Sequence, residues 1–259
     1  MKNKTMILLT AAILSTGLAA IYTSGQVTSA QTAASDTAIP LKDAKLNIEH
    51  NVKDGDTGFQ GFLDSEGWNS ITVTGPDGNV LNLTGQEKLG QLGLTELFFE
   101  TVEPENADVP IAEVLETIPE GEYTFEGPAI EAGEEQGETK GTALLTHDIP
   151  EGPDLLSPAE NAIVSAAEDL LVSWGQVNKT INGSDINVIA YQLIIKKDED
   201  PDPNMIGKMG LSMYLPPDVQ EITIPSEFLE PETDYDWEVL AIEESGNQSL
   251  NSSRFSASA

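Results

Sequence analysis

Alternation of acidic and apolar residues from Asp234 to Val239 constrains the fold of this chain most. In the segment TDYDWEVLA, one set of alternate side chains is apolar, namely Tyr235, Trp237, Val239 and Ala241. The side chains between them include Asp234, Asp236 and Glu238. A period of two is that of a β-strand, and this division predicts an antiparallel strand with one face in a core and the other in water.

The same period recurs along the chain, between turns rich in glycine and proline. In the second half it places on common faces Leu170, Val172 and Trp174; Ile189, Tyr191, Leu193 and Ile195; and Ile222 and Ile224. In the first half it predicts strands near residues 46–51, 58–63, 69–74, 79–83, 95–102, 121–126 and 140–147. Many short strands with turn-rich connections predict an all-β protein of two tandem β-sandwiches.

One helix and one domain boundary are also predicted. Asp108 can cap a helix that has Pro110 in its first turn and apolar residues at helical spacing up to Ile118. Residues 85–92 are interpreted as either a helical turn or a loop. The segment IPEGPDLLSP is rich in proline, which is typical of a linker with its boundary near Pro153. We therefore predict a β-rich domain over 44–152, with one short helix, and a second domain over 153–259.

Several residues of the second half match the pattern of a known domain family. They are Trp174 and Tyr191 on two predicted strands, the Leu-x-Pro-x-Thr-x-Tyr segment of Leu229, Pro231 and Tyr235, and Trp237 on the strand that follows. Residues 153–259 thus resemble a fibronectin type III domain. The resemblance implies a β-sandwich in which Tyr235 forms a tyrosine corner, its hydroxyl bonded to upstream backbone.

The match to this family is incomplete between residues 197 and 215. An acidic, loop-like segment stands there where the family has a strand, so the strand assignment is left open. The whole chain is also similar to exported bacterial proteins that carry this domain at the C-terminus. For the first half, the strand spacing predicts an immunoglobulin-like sandwich.

The N-terminus has the pattern of a secretory signal peptide over residues 1–30. Lys2 and Lys4 precede the uncharged segment Met6–Tyr22, and small residues lead to a cleavage site after Ala30. A single membrane anchor is the alternative, although the segment is short for a span and contains hydroxyl side chains. We expect an exported protein, in the periplasm, at the cell surface or in the medium, without stable membrane insertion after cleavage. Residues 31–43 are predicted to be a flexible lead-in.

The chain is strongly acidic, with a formal net charge of −32 and no cysteine. Loss of Lys2 and Lys4 with the signal peptide would make the mature chain more negative still. Such a field repels nucleic acid and anionic lipid headgroups, and therefore excludes both classes of partner. The absence of cysteine excludes disulfides, so packing must stabilise the fold. The acidity fits either general adaptation to a saline or calcium-rich exterior or specific calcium binding.

Two short acidic turns are candidate calcium ligands. Asp54 and Asp56 are two residues apart in the glycine-rich turn DGDTG, and Asp64 follows in DSEG. Oxygen ligands in such loops suit Ca²⁺, although the segment lacks the spacing of an EF-hand. The acidic segment 198–202 is a second candidate. Each of these turns can equally be a solvated loop.

Signals for catalysis are weak. His50 and His147 are isolated in sequence, and the chain has neither a Gly-x-Ser-x-Gly nucleophile elbow nor a phosphate-binding glycine loop. Acids are so abundant that carboxylate pairs carry no information about glycoside hydrolysis. We expect Trp68 to pack at a core or edge; the alternative is an exposed platform on which a sugar stacks, since Trp68 follows a glycine at the entrance of a strand. The sequence therefore predicts a protein that is not an enzyme.

The predicted function is that of a non-catalytic binding or spacer protein, with an unknown protein or glycan as its ligand. Strand edges and end loops are expected to make the contacts, as is general for sandwiches. One alternative is an exported enzyme acting on polysaccharide, or the carbohydrate-binding accessory of one. The other is a calcium-dependent structural protein. No cofactor is predicted other than this candidate Ca²⁺.

Overall fold

The computed structural model describes residues 38–205 and 207–259. The strands of the first half are β1 (Ile39–Pro40), β2 (Asp43–Asn51), β3 (Asp56–Trp68), β4 (Ser70–Gly75), β5 (Gly78–Thr84), β6 (Leu94–Glu100), β7 (Gly121–Glu131) and β8 (Glu134–Leu145). Those of the second half are β9 (Leu155–Ser157), β10 (Ala162–Ser165), β11 (Leu170–Trp174), β12 (Val188–Lys197), β13 (Gly210–Leu215), β14 (Glu221–Ile224), β15 (Thr233–Glu243) and β16 (Gln248–Ser258). Short helices occur at α1 (Glu87–Leu92) and α2 (Ile111–Glu116). The all-β class predicted from the alternation is confirmed.

The predicted signal peptide lies outside the described residues, as does the lead-in up to residue 37. The remaining part of the lead-in is not flexible. β1 pairs in parallel with β8, and the amide of Leu41 donates to the carbonyl of Lys140 at 2.9 Å. The lead-in prediction is therefore wrong for residues 39–43, because the backbone is tied to the edge of β8. In the part of the chain that the structure describes, no helix is long and apolar enough to span a membrane.

The second half is a sandwich of two sheets. One sheet has the order β14-β11-β9, and the facing sheet has the order β13-β12-β15-β16, with β10 alongside β16. The alternate apolar residues of β11, β12 and β15 fill the space between the sheets, with Trp174, Tyr191 and Trp237 buried there. The fibronectin type III-like sandwich expected from the resemblance is confirmed. The strand left open between 197 and 215 is β13.

The first half has the same strand order. β6, β3 and β2 form one layer, and β5, β4, β7 and β8 form the other. With β1 and β10 left out, each half of the described chain has seven strands, of which the first, second and fifth along the chain share one sheet and the other four share the facing sheet. The immunoglobulin-like sandwich predicted for the first half is confirmed. Helix α2 starts after Pro110 without a side-chain cap, so the predicted capping by Asp108 is wrong.

Each half also contains a tyrosine corner. The hydroxyl of Tyr235 accepts the amide of Glu230 at 2.9 Å and lies 3.4 Å from the carbonyl of Phe228, which confirms the predicted corner. Leu229 is buried beneath it and Pro231 is exposed. In the first half, the hydroxyl of Tyr123 donates to the carbonyl of Pro119 at 2.7 Å, in the corresponding place before β7.

One sheet runs through both halves of the described chain. β2 pairs in parallel with β16, with Gln248 opposite Glu49 and Leu250 opposite Asn51. The strands β6-β3-β2-β16-β15-β12-β13 therefore form an unbroken ladder, called here the continuous sheet. Residues 37–259 make one compact unit. They contain two separate hydrophobic clusters, one built from residues up to Ile149 together with Ile181, and the other from apolar residues from Leu155 onward.

Asn247 fastens the two halves together at the turn between β15 and β16. Its side-chain oxygen accepts the amide of Ile48 at 2.8 Å, and its side-chain nitrogen donates to the carbonyls of Thr146 and Asp148 at 3.0 and 3.2 Å. The proposed linker is held in the same way, because the hydroxyl of Ser249 donates to the carbonyl of Pro150. The predicted domain limits of 44–152 and 153–259 stay a prediction.

Candidate functional site

An apolar trough lies on the outer face of the continuous sheet, across the junction of the two halves. It encloses about 1130 Å³ and is named here the junction trough. Its principal apolar lining residues are Phe62, Phe98, Leu144, Ile194, Tyr214 and Leu240. These side chains come from β3, β6, β8, β12, β13 and β15. The trough therefore exists only because β2 and β16 join the two halves into one sheet.

A change in the alternation along β15 creates the floor of the trough. The acidic outward positions end at Glu238, and Leu240 takes the next outward position. Leu240 is nevertheless only 4% exposed, since the concave surface shields it. In the same way, Phe98 lies between two inward residues of β6, and Ile194 between two inward residues of β12. Runs of consecutive apolar residues within a strand were the sequence signal of this face.

The walls of the trough present apolar side chains to solvent. Phe98 is 58% exposed, Leu144 is 61% exposed and Tyr214 is 70% exposed. A contiguous exposed apolar patch on a soluble domain is typical of a site of interaction. Trp68, by contrast, is only 1% exposed and packs in the first core, as predicted.

Three glutamates converge beside the trough. Glu49 on β2, Glu100 at the end of β6 and Glu103 in the segment after β6 each place a carboxylate oxygen within 4.8 Å of the others. This group is called the glutamate cluster. Gly58 makes room for it, because a Cβ atom at that position would lie 2.7 Å from Cγ of Glu103.

Amide side chains hold two members of the glutamate cluster in place. Gln248 donates to Glu49, and Gln60 donates to Oε1 of Glu100 at 3.0 Å. Oε1 of Glu103 is buried and has no hydrogen-bond partner. Within residues 38–205 and 207–259, no member of the cluster forms a salt bridge. The cluster is thus a group of carboxylates without a compensating positive charge.

The environment of the cluster disfavours ionisation. Burial raises the pKa of Glu103 to about 7, and the charges of Glu49 and Asp56 add to the effect. Burial also raises the pKa of Glu49, against the opposing effect of its hydrogen bond from Gln248. Both shifts follow from desolvation of a charge that has no partner of opposite sign.

Two further buried oxygens without partners belong to Asp56 and Asn106. Asp56 forms a β-bridge with Glu105, and the amide of Asn106 donates to the carbonyl of Gly55 at 2.7 Å. Burial raises the pKa of Asp56, followed by the effect of the charge on Asp54. The turn between β2 and β3 and the segment after β6 therefore meet in an oxygen-rich region.

The predicted calcium residues are separated by the fold. Asp54 and Asp56 share the turn before β3, but Asp64 is eight residues further along the same strand. At about 3.3 Å per residue, that separation is roughly 26 Å, which is too far for one ion. Asp64 lies 3.9 Å from Lys42 instead. The second candidate, 198–202, lies on an exposed loop.

The glutamate cluster was missed at the level of sequence. Its members lie on separate strands and loops, and only the pairing of β2 with β3 and of β3 with β6 brings them together. No spacing in the sequence marks such a group. The two histidines have local partners: Nδ1 of His50 lies 2.9 Å from the hydroxyl of Thr57, and Nε2 of His147 lies 2.9 Å from the carbonyl of Ile118.

No family model matches the chain, and no curated protein matches its sequence. Solved structures align with the chain at low sequence identity and low TM-score. The two-domain fibronectin type III segment of chicken tenascin is 12% identical, with 83% of this chain and 97% of that one covered and a TM-score of 0.27. The fibronectin(III)-like modules of Clostridium thermocellum CbhA are also 12% identical, covering 84% and 93%, with a TM-score of 0.32. Domains FN1–FN3 of chicken CNTN1 are 11% identical, covering 85% and 65%, with a TM-score of 0.30. The assignment of the fold rests on the strand order of this chain.

Proposed function

We propose that the protein is a non-catalytic binding module that holds a cationic, apolar segment of a partner protein in the junction trough. The observation that carries the proposal is the apolar lining of the junction trough, where Phe98 and Tyr214 of the continuous sheet and Leu144 of β8 stand in solvent. Contact through a sheet face differs from the strand edges and end loops expected from the sequence. An extended segment with alternate apolar side chains would cover this face.

Charge complementarity supports a cationic partner. The acids that line the trough are Glu49, Glu238 and Glu244. Lys45, which also lines it, is already bonded to Asp43 at 2.7 Å. The whole chain carries a formal charge of −32, so its field attracts cationic segments and speeds their association.

The polysaccharide alternative has less support from the described residues. That reading would be favoured by an exposed Trp68 beside two convergent carboxylates, and Trp68 is buried in the core. A glycan ligand is an outcome that the experiment below can reveal.

Export is part of the proposal and is supported by the pattern of residues 1–30. Sequencing of the N-terminus of the protein recovered from the medium or cell envelope tests it, with a start at Gln31 expected.

Peptide binding measured by fluorescence anisotropy tests the proposal. We expect a labelled peptide of alternating Lys and Phe to bind, and a peptide of alternating Glu and Phe not to bind. Substituting both Phe98 and Tyr214 by Ser should weaken binding at least tenfold. The matched control is Ile163→Ser, since Ile163 is 76% exposed and lies on β10, away from the trough.

Two results would overturn this function. One is equal binding of the cationic peptide to the double variant and to the Ile163→Ser control. The other is binding on a glycan array, with no binding of the peptide, that survives the loss of Phe98 and Tyr214.

A further inference from the structure

We propose that the outer edge of β13 takes up an extended, cationic segment of a partner protein as an additional strand of the continuous sheet. This edge is the side of β13 that faces away from β12. The inference rests on the function proposed above and deepens it, because it names the backbone that holds the segment beside the junction trough. Three observations carry it: the free backbone groups of β13, its lack of edge protection, and the position of Tyr214.

The backbone of β13 is paired on one side alone. β13 runs antiparallel to β12, and no other strand in the described part of the chain pairs with it. The amide of Lys197 donates to the carbonyl of Met209 at 3.0 Å, and this bond fixes the phase of the ladder. Because hydrogen-bonded and non-bonded pairs alternate in an antiparallel ladder, Gly210, Ser212 and Tyr214 direct their amides and carbonyls away from β12. All three residues are exposed.

The outer edge of β13 lacks the features that protect other edges. Edge strands of soluble proteins usually carry a charge, a proline or a break in register, which prevents pairing with another chain. β13 has the sequence GLSMYL, without charge or proline, and keeps a continuous register with β12. At the other end of the continuous sheet, β6 contains Glu96 and Glu100. The uncharged edge strand β5 breaks register with β4 between Val73 and Thr74. Of these three edge strands, β13 alone remains open to pairing.

Tyr214 places the outer edge of β13 beside the junction trough. Its side chain lines the trough and is 70% exposed. Ser212 lies opposite Ile194, another lining residue, and its hydroxyl accepts a hydrogen bond from Nε2 of Gln192 at 2.9 Å. Side chains of neighbouring strands share a face at alternate positions, so every second side chain of an added strand would lie on the trough side, next to Tyr214. An added strand would therefore extend the wall of the trough.

The charge of the chain favours a partner protein over a second copy. A second copy would bring another formal charge of −32 to the same edge, and the two copies would repel each other. The same field attracts a cationic segment.

The basic side chains near β13 do not oppose a cationic segment, because each is paired with an acid. The nitrogen Nζ of Lys196 lies 3.2 Å from Glu238, and that of Lys208 lies 3.8 Å from Asp198. Lys197 lies 2.6 Å from Glu230. The main-chain groups of the edge would supply affinity, and the trough would select the side chains of the segment.

Backbone methylation of the peptide tests strand addition on the whole protein. Two forms of the alternating Lys and Phe peptide are compared by fluorescence anisotropy, one N-methylated on every Lys and the other on every Phe. Alternate amides of a strand point to opposite edges, so only one of these forms presents intact amides to β13. We expect that form to bind within about twofold of the unmethylated peptide, and the other to bind about tenfold more weakly or worse.

Ser212→Pro repeats the test from the side of the protein. Proline removes the outward amide of residue 212, whereas the bonds between β12 and β13 use the neighbouring residues. We expect this variant to bind the unmethylated peptide about tenfold more weakly. Ser212→Ala is the matched control, since it keeps the amide and should bind as the parent does. Circular dichroism checks the fold of Ser212→Pro, and the methylated peptides decide the question on the parent protein should this variant not fold.

Equal binding of the two methylated peptides, whether strong or weak, overturns strand addition and leaves the function of the trough standing. Equal binding by folded Ser212→Pro and by Ser212→Ala overturns it as well. Failure of the unmethylated peptide to bind counts instead against the function proposed above, and strand addition falls with it. A dimer of the parent protein in sedimentation equilibrium that Ser212→Pro abolishes would assign the edge to a second copy and overturn the assignment to a partner.

Discussion

At the residue scale, single polar groups decide how the two sandwiches are closed. Tyr235 and Tyr123 are buried aromatic residues whose hydroxyls bind backbone before the strand that they begin. The sequence identified the first corner through its Leu-x-Pro-x-Thr-x-Tyr segment, but not the second, where Pro119 keeps the distance of Pro231 from the tyrosine while Thr117 and Gly121 replace the leucine and the threonine. The geometry is shared, although the sequence pattern that marks it is not.

Removal of the hydroxyl of Tyr235 should measure how much the tyrosine corner stabilises the fold. We expect Tyr235→Phe to lower the free energy of unfolding by about 1 kcal/mol, since the part-buried amide of Glu230 then loses its acceptor. Urea unfolding followed by tryptophan fluorescence gives the value. The control is Tyr214→Phe, whose ring is largely in solvent, and an equal loss in both variants would argue against the corner.

The raised pKa of Glu103 predicts a pH dependence of stability in metal-free buffer. Its folded-state value of about 7 stands above the ordinary value of 4.5, so the folded protein binds this proton more tightly. That contribution is complete at low pH and is lost as the pH rises through 7. Between pH 5 and pH 8, the melting temperature of the parent should therefore fall relative to that of Glu103→Gln. Scanning calorimetry in EDTA checks the difference, and parallel profiles would contradict it.

At the scale of elements, the alternation of side chains predicted the strands well. All seven strands expected in the first half are present, because each has one apolar face that must be covered. The helix after residue 110 was also predicted, but its cap was not, since backbone geometry at Pro110 rather than Asp108 starts it. The glutamate cluster could not be predicted, because it depends on which strands pair and in what register.

The turn between β15 and β16 fastens the halves to each other, and Asn247 is its central contact. We expect Asn247→Ala to lower the free energy of unfolding by about 1–3 kcal/mol, because the buried amide of Ile48 loses its acceptor and the carbonyls of Thr146 and Asp148 lose their donor. Asn204→Ala, in an exposed loop, is the control for urea unfolding. No difference between the two variants would mean that these bonds are replaced by water.

At the scale of the whole molecule, the charge opposes the fold. The chain has a formal charge of −32, spread over both halves, so its like charges repel one another. This repulsion reaches further at low salt, because the Debye length is about 30 Å at 0.01 M and only about 10 Å at 0.1 M. We expect the melting temperature to rise with NaCl up to a few tenths molar. A flat response in scanning calorimetry would show that the acids are already compensated locally.

The parallel pairing of β2 with β16 has a mechanical consequence. Tandem domains without shared backbone hydrogen bonds unfold one after another under force, but here the hydrogen-bonded sheet of one sandwich continues into the next. A force that detaches β16 also removes the hydrogen-bonding partner of β2. Stretched by its ends in an optical trap, the chain from residue 38 onward should lengthen in a single large jump.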